Sequence, residues 1–436
     1  MDRGESPSPR LSADGEVALY VGDITITCFA CSEDPKKLLS KIFSQTELPT
    51  FFISPLGLGE LTQIQTLFLG TFVCKKTIQQ LLFVTSIHKR QVQNMEIKDV
   101  VSHIVLPFLP AKSLVRFRSV SKDWDLRIRS PFLAHQQSYF FNDLSGFFCQ
   151  YYGSNPTFLT LDDHAYGVPS PSLTFLPEPV DIISSCSGLL LCQERATRSS
   201  YYICNPATEE WRELPQPQLY HGIEAATILA FEPSPLNMSA DYHLISAVPM
   251  LDQPVILFEL YTSETRSWRV LATTFVESGD LSFTSTRFYM NGIAYWETTA
   301  RKVLAFGLKN EVYEVISLPP DAPTGGVLSQ IQGELCYISA FIFSGNCSIK
   351  IYAGMDLRLI HVANVTLEVV PDRFPRYRVL PCLEGSVVMI LVESLVCSYR
   401  LSDGKIEVVG RAGEGGGGGG GADNCLPYVN SLVHLA

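Results

Sequence analysis

Ser187-Gly188-Leu189-Leu190 is a polar residue, a glycine and the start of an apolar strand, and the same figure recurs along the chain. It stands at Ser145-Gly146-Phe147-Phe148, Asn291-Gly292-Ile293-Ala294, Gln332-Gly333-Glu334-Leu335 and Glu384-Gly385-Ser386-Val387. The spacing is roughly 40–50 residues, the period of propeller blades, except for one interval of about twice that length. The midpoint of that long interval falls near Ala240, just before the strand-like Tyr242-His243-Leu244-Ile245. About six units therefore fit residues 139–436. A second element keeps the same register. Asn205-Pro206-Ala207-Thr208-Glu209-Glu210-Trp211 is a turn leading into a strand with a tryptophan, and Thr262–Trp268 repeats its shape. A blade is a small twisted sheet with two apolar faces, stable only when stacked between neighbours. The glycine is expected to permit a tight turn at each strand start, and the tryptophan to fill the space between blades.

Working outward, Gly415–Gly421 is a run of seven glycines with no strand propensity, read as a flexible loop. Tyr428-Val429-Asn430-Ser431-Leu432-Val433 then returns to strand texture, and is expected to close the ring by completing the blade begun near Gly146. Four longer Pro-rich connections are candidate rim loops for binding: Leu214–His221, Glu232–Ala240, Leu318–Gly326 and Asp372–Tyr377.

Residues 95–138 change period. Leu114, Phe117 and Val120, then Trp124 and Ile128, recur at helical spacing. Ser121 is placed to cap a second helix, and Ser130-Pro131 reads as a cap with a first-turn proline. Residues 1–94 lack a clear period. They hold a polar start, a β-like run at Val17–Phe29 and an apolar stretch at Leu61–Ile87 that reads as one amphipathic helix. Met95 immediately precedes the helical pattern, so 1–94 reads as an extension, as from an upstream start, or as a regulatory segment.

Leu109-Pro110-Ala111-Lys112-Ser113-Leu114-Val115-Arg116-Phe117-Arg118-Ser119-Val120-Ser121-Lys122-Asp123-Trp124, continued by Ile128-Arg129-Ser130-Pro131-Phe132-Leu133, resembles the F-box of plant F-box proteins. Ser185-Cys186-Ser187-Gly188-Leu189-Leu190 and the Asn205-Pro206-Ala207-Thr208 turn are similar to the kelch-type or F-box-associated domain that follows many such F-boxes. The fold implied is α+β and multidomain: an N-terminal extension without assigned structure (1–94), a small helical F-box (95–138) and an all-β propeller (139–436). The resemblance implies a substrate-recognition subunit of a cullin–RING ubiquitin ligase, its F-box docked on a Skp-family adaptor and, through it, a cullin, with the propeller holding the target. Leu109, Pro110, Leu114, Val120 and Trp124 are the adaptor-binding residues it implies. The family's Leu-Pro opening of the first helix is absent, Glu96-Ile97-Lys98-Asp99 standing there, and Pro107 is expected to end that helix early. The alternative is a propeller interaction scaffold not coupled to ubiquitination.

The rest of the chain excludes other classes. With 436 residues and a hydrophobic fraction of 46%, it can bury a sizeable core. A net charge of −11 argues against a nucleic-acid binder. A basic cluster between Leu109 and Arg129 (Lys112, Arg116, Arg118, Lys122, Arg127 and Arg129 against Asp123 and Asp125) suits an acidic partner surface. The N-terminus has no apolar signal region, and Val387–Val396 is too short to span a membrane, so a cytoplasmic or nuclear location with reduced thiols is expected. Cys28-x-x-Cys31 has no second pair, the eight histidines form no i,i+4 pair, and no G-x-S-x-G occurs. No catalytic residue, metal or cofactor is therefore expected.

Overall fold

The computed structural model describes residues 10–11, 16–21 and 24–29, and residues 106–435 except for short loop stretches, the longest being 412–423. The chain divides into two units at Lys89. In the first, Arg10–Leu11, Glu16–Val21 and Ile24–Phe29 form an antiparallel sheet, matching the β-like run read at Val17–Phe29. The Leu61–Ile87 stretch, Cys31 and the 95–105 segment lie outside the described residues.

In the second unit, three α-helices among the described residues precede a six-bladed propeller: α1 (Ala111–Phe117), α2 (Lys122–Ile128) and α3 (Pro131–Phe140). Blades 2 to 6 are four-stranded antiparallel sheets starting at Val180, Ala226, Phe283, Val327 and Tyr377. Blade 1 joins segments far apart in the chain: the last described strand, Asn424–Val429, pairs with Leu144–Gln150, which pairs with Thr157–Thr160. Tyr428 lies opposite Gly146, so the ring closes on the blade the sequence points to. The closing strand starts earlier than the Tyr428–Val433 run, and Asn430–Val433 form an extended tail beyond it.

The apolar clusters explain why blades need each other. Phe148, Ile182, Leu190 and Tyr428 fill the seam of blades 1 and 2, and Leu229, Tyr261 and Trp268 meet Leu191 and Ile203 across blades 2 and 3. Further clusters fill the seams of blades 3 and 4, 4 and 5, 5 and 6, and 6 and 1. Each blade thus buries both faces against neighbours rather than forming a core of its own.

Two expectations need correcting. The Ser187-Gly188, Asn291-Gly292 and Gln332-Gly333 pairs are two-residue turns with both φ angles positive, the geometry matched to strand twist. Gly146 instead lies within a strand, where an added Cβ would come 2.3 Å from the Leu159 carbonyl oxygen, so it serves close approach and not a turn. Gly385 lies outside the described residues. The tryptophans also divide. Trp268 is buried between blades 2 and 3, 6.0 Å from the Tyr201 ring, with its indole N–H donating to the Pro215 carbonyl. Trp211 is 40% exposed on an outermost strand, against Tyr202 of its own blade, because alternate side chains of that strand face solvent.

Gly188 carries a first prediction. Its φ is +91°, and an added Cβ would meet the Ser431 Cβ at 2.3 Å, whereas Gly292 at φ +77° faces open space. Gly292→Ala should cost the backbone term alone, about 1–2 kcal/mol. Gly188→Ala should cost about 1–3 kcal/mol more, because the tail must shift. Urea midpoints compare them, and equal losses would contradict the close contact.

Strand directions fix the two faces of the ring. Connections from first to second and third to fourth strands lie on one face; connections from second to third strands, and from blade to blade, lie on the other. The tail emerges on the first face, after an innermost strand. Of the four candidate loops, Leu214–His221 and Leu318–Gly326 join successive blades and belong to the second face; Glu232–Ala240 connects a first strand to a second and Asp372–Tyr377 leads into blade 6, with residues 235–239 and 372–374 outside the described residues.

Candidate functional site

The helical zone is built as its capping residues dictate. Ser121 Oγ accepts from the Trp124 N–H at the start of α2, and Ser130 Oγ accepts from the Leu133 N–H ahead of Pro131 at the start of α3. Pro107 sits in a short 3-10 turn, Leu106–Phe108. Pro110 precedes α1, and its carbonyl accepts from the Ser113 and Leu114 N–H groups.

The residues that the F-box resemblance singles out fall into two sets. Leu109, Pro110 and Leu114 are buried within the chain, Leu114 completely. Val120 and Trp124 are half-buried, the Trp124 ring standing edge-on to Phe117 at 6.0 Å. The apolar side chains that do reach solvent were not singled out from the sequence: Val115, Leu126 (72% exposed), Phe132 and Tyr139. Helical spacing marks apolar positions but does not say which of a short helix's faces another domain covers.

The basic cluster is partly consumed internally. Arg118 and Arg129 both donate to Asp125 Oδ1, at 2.7 and 2.8 Å, and with Arg129 the stronger influence they hold that carboxyl below its ordinary pKa. Lys112 Nζ donates to the Tyr166 carbonyl at 2.7 Å.

What covers the other face is the tail, through a polar, buried seam. Gln137 of α3 is wholly buried; its Nε2 donates to the Leu109 and Asn430 carbonyls at 3.1 and 3.0 Å, and its Oε1 accepts from the Leu432 N–H at 2.8 Å. Asn430, equally buried, accepts from the Lys112 N–H through Oδ1 and donates from Nδ2 to the Gly167 carbonyl. Its backbone N–H donates to Ser145 Oγ, and its carbonyl also accepts from the Ala111 N–H. The tail is stitched to blade 2 as well. Asn205 Nδ2 donates to the Ser431 and Val433 carbonyls, and Ser185 Oγ donates to the Pro427 carbonyl. The Ser185–Leu190 and Asn205–Thr208 motifs therefore hold the closing segment, which in turn holds the helices.

On the second face, the Leu214–His221 loop is anchored rather than free. Glu259, fully buried, accepts from the Gln218 and Leu219 N–H groups and from His221 Nε2 at 2.9 Å, while the Tyr201 hydroxyl lies 3.2 Å from His221 Nδ1. Tyr220 projects from this loop with 79% exposure. Among the described residues no group of three or more His, Cys, Asp or Glu side chains is placed to hold a metal, and no helix is long and apolar enough to cross a membrane.

The described residues of the second unit thus form a closed propeller with a helical zone fixed to one of its faces. Comparison with known proteins refines this. Residues 169–339 match the F-box associated beta propeller domain. Two F-box proteins of Arabidopsis thaliana are 30% identical over 244 residues and 29% identical over 280 residues, covering 52% and 56% of this chain. A third Arabidopsis relative, 25% identical over 247 residues (51% of this chain, 58% of its own length), is named as an F-box/kelch-repeat protein. The first two alignments span 66% and 63% of those relatives' own lengths, a little under two thirds. The propeller matches the F-box associated domain over residues 169–339, and the chain is similar to plant F-box proteins.

Proposed function

We propose that the chain is the substrate-recognition subunit of an SCF-type cullin–RING ubiquitin ligase, non-catalytic and acting in the cytoplasm or nucleus. The helical zone docks on a Skp-family adaptor and thereby a cullin, and the propeller holds the target protein. The observation that carries this reading is the Gln137–Asn430 seam. It fixes an F-box-like zone on one face of the ring with no flexible linker, so that a target on the ring keeps a set orientation toward whatever the helices engage. The exposed Val115, Leu126 and Phe132 supply apolar anchors of the kind that dominate interfaces.

The test is capture of a plant Skp-family adaptor by the full chain. Leu126→Asp places a charge on an exposed apolar anchor, and should lower capture at least about tenfold, a loss of ~1.4 kcal/mol, with an unchanged melting midpoint. Leu114→Asp is a folding variant instead, since it buries a carboxylate where no water reaches. A folded wild-type chain that captures no adaptor would favour the uncoupled scaffold, with Glu96–Asp99 in place of the Leu-Pro opening as the reason.

A further inference from the structure

The second face holds a cavity of about 770 Å3 where blades 4, 5 and 6 meet. That is well beyond one bound ion and within the range of sites that enclose a substantial ligand. Three guanidinium groups line it, Arg301, Arg376 and Arg378, in a chain whose net charge is −11. Arg301 is committed to structure: its Nη2 donates to the Pro319 and Ala322 carbonyls at 2.7 and 2.8 Å, holding the Leu318–Gly326 loop. Arg376 is exposed, and Arg378 donates to Ser285 Oγ at 3.2 Å, reaching from blade 6 to blade 4 across the cavity.

The two carboxylates of the wall do not cancel this charge equally. Glu297 is buried and taken up by donors, the Thr284 hydroxyl at 2.9 Å and the Tyr337 hydroxyl at 3.2 Å. Glu393 accepts through Oε1 from the Arg376 backbone N–H at 2.6 Å. Beside the wall, one residue past Thr286, stands the half-buried Arg287. Among the described residues its polar contact is the Thr227 carbonyl at 3.4 Å, and burial lowers its pKa. A further cation next to a basic cavity raises the local potential for anions. Gly325 leaves bare backbone at the rim, with open space where a side chain would stand.

We propose that this cavity binds an acidic peptide segment of the target, with Arg376 and Arg378 taking its oxyanion groups. Guanidinium forks match carboxylate and phosphate oxygens, and the Ser285 hydroxyl stands beside Arg378. The inference deepens the receptor reading by naming what the propeller holds; it rests on that reading only for the ligand being part of a target.

The experiment uses the full chain and fluorescent decapeptide pools, random at the flanks, with three central glutamates, three central glutamines, or one central phosphoserine. The glutamate pool should bind saturably and weaken with salt, and the glutamine pool should not bind. Arg376→Glu/Arg378→Glu should weaken binding at least about tenfold, whereas Lys309→Glu, on a third-to-fourth strand connection of the opposite face, should leave it unchanged. Tighter binding of the phosphoserine pool, lost in the same double variant, would assign the oxyanion as phosphate; tighter glutamate binding would assign it as carboxylate. Equal binding of glutamine and glutamate pools, no binding of either acidic pool, or equal loss in Lys309→Glu would overturn the proposal. Adaptor capture is read on the same samples. Capture without peptide binding removes only this inference, and peptide binding without capture removes only the ligase reading.

Discussion

Deleting residues 424–436 is expected to abolish cooperative folding of the ring, not to trim one blade. The deletion removes the innermost strand of blade 1, leaving Leu144–Gln150 and Thr157–Thr160 as a two-stranded hairpin, which is marginal by itself in water. It also removes Cys425, Tyr428, Val429, Leu432 and Val433, all buried. At about 1.5–3 kcal/mol for each large apolar side chain, the loss is on the order of 10 kcal/mol, comparable with the whole stability of a typical domain. Asn205, Ser185, Ser145 and Gln137 would lose their partners at the same time. Urea unfolding followed by circular dichroism should show no cooperative transition in the deletion variant, and a synthetic peptide of residues 424–435 should restore one. A transition within about 2 kcal/mol of wild type would refute closure as a determinant of stability. Replacing Gly415–Gly421 by a Gly/Ser segment of equal length should change little, since the entropy of connecting the flanking strands depends on the number of residues between them.

The ring was legible in the sequence because each blade needs the same local chemistry. Type I′ turns require residues that tolerate positive φ, and Ser-Gly, Asn-Gly and Gln-Gly answer that need at a blade's period. Closure was legible because strand texture returns after the glycine run. Even so, the same Ser-Gly figure at Gly146 arises from a carbonyl pressed close to a strand, and pattern alone does not separate the two causes. The helix caps at Ser121 and Ser130 were equally local and equally readable. The seam was not. Gln137 and Leu432 are 295 residues apart, Asn205 and Val433 are 228 apart, and a lone Gln or Asn carries no periodic signal. Nor does spacing distinguish Leu114, sealed inside the chain, from Leu126 on its surface. The F-box-like motif showed which positions are apolar, and only the packing shows which of them a partner can reach. The acidic-peptide cavity was half visible. Two of the loops that form it were candidates, but its arginines come from blades 4 and 6 and meet only in the closed ring.

Gln137→Ala is expected to loosen the helical zone from the ring at a cost of about 3–5 kcal/mol. The substitution leaves the Leu109 carbonyl and the Leu432 N–H without partners in a place closed to water, while the Asn430 carbonyl keeps the Ala111 N–H. A buried polar group deprived of its partner costs about 1–3 kcal/mol, and the vacated side-chain volume adds to that. Asn430→Ala strands the Lys112 N–H and the Gly167 carbonyl in the same way and should cost about 2–4 kcal/mol. Because both side chains belong to one network, the double variant should lose less than the two single losses added together. The distinctive readout is local. Amide exchange should accelerate in Ala111–Phe140 and in the Asn430–Val433 tail, while the strands of blades 4 and 5 stay protected; uniform acceleration around the ring would mean that the seam only contributes bulk stability. Gln137→Glu separates hydrogen bonding from volume. Its carboxylate can accept from Leu432 but cannot donate to two carbonyls, so burial among acceptors raises its folded-state pKa above the unfolded value of about 4.3. The protonated form donates one of the missing bonds. This variant should therefore stand closest to wild type below about pH 4.3 and fall behind as pH rises through the folded-state pKa, whereas the deficit of Gln137→Ala should stay level. If the two variants track each other across that range, hydrogen bonding is not what fixes the helices, and the set orientation between docking domain and propeller loses its physical basis.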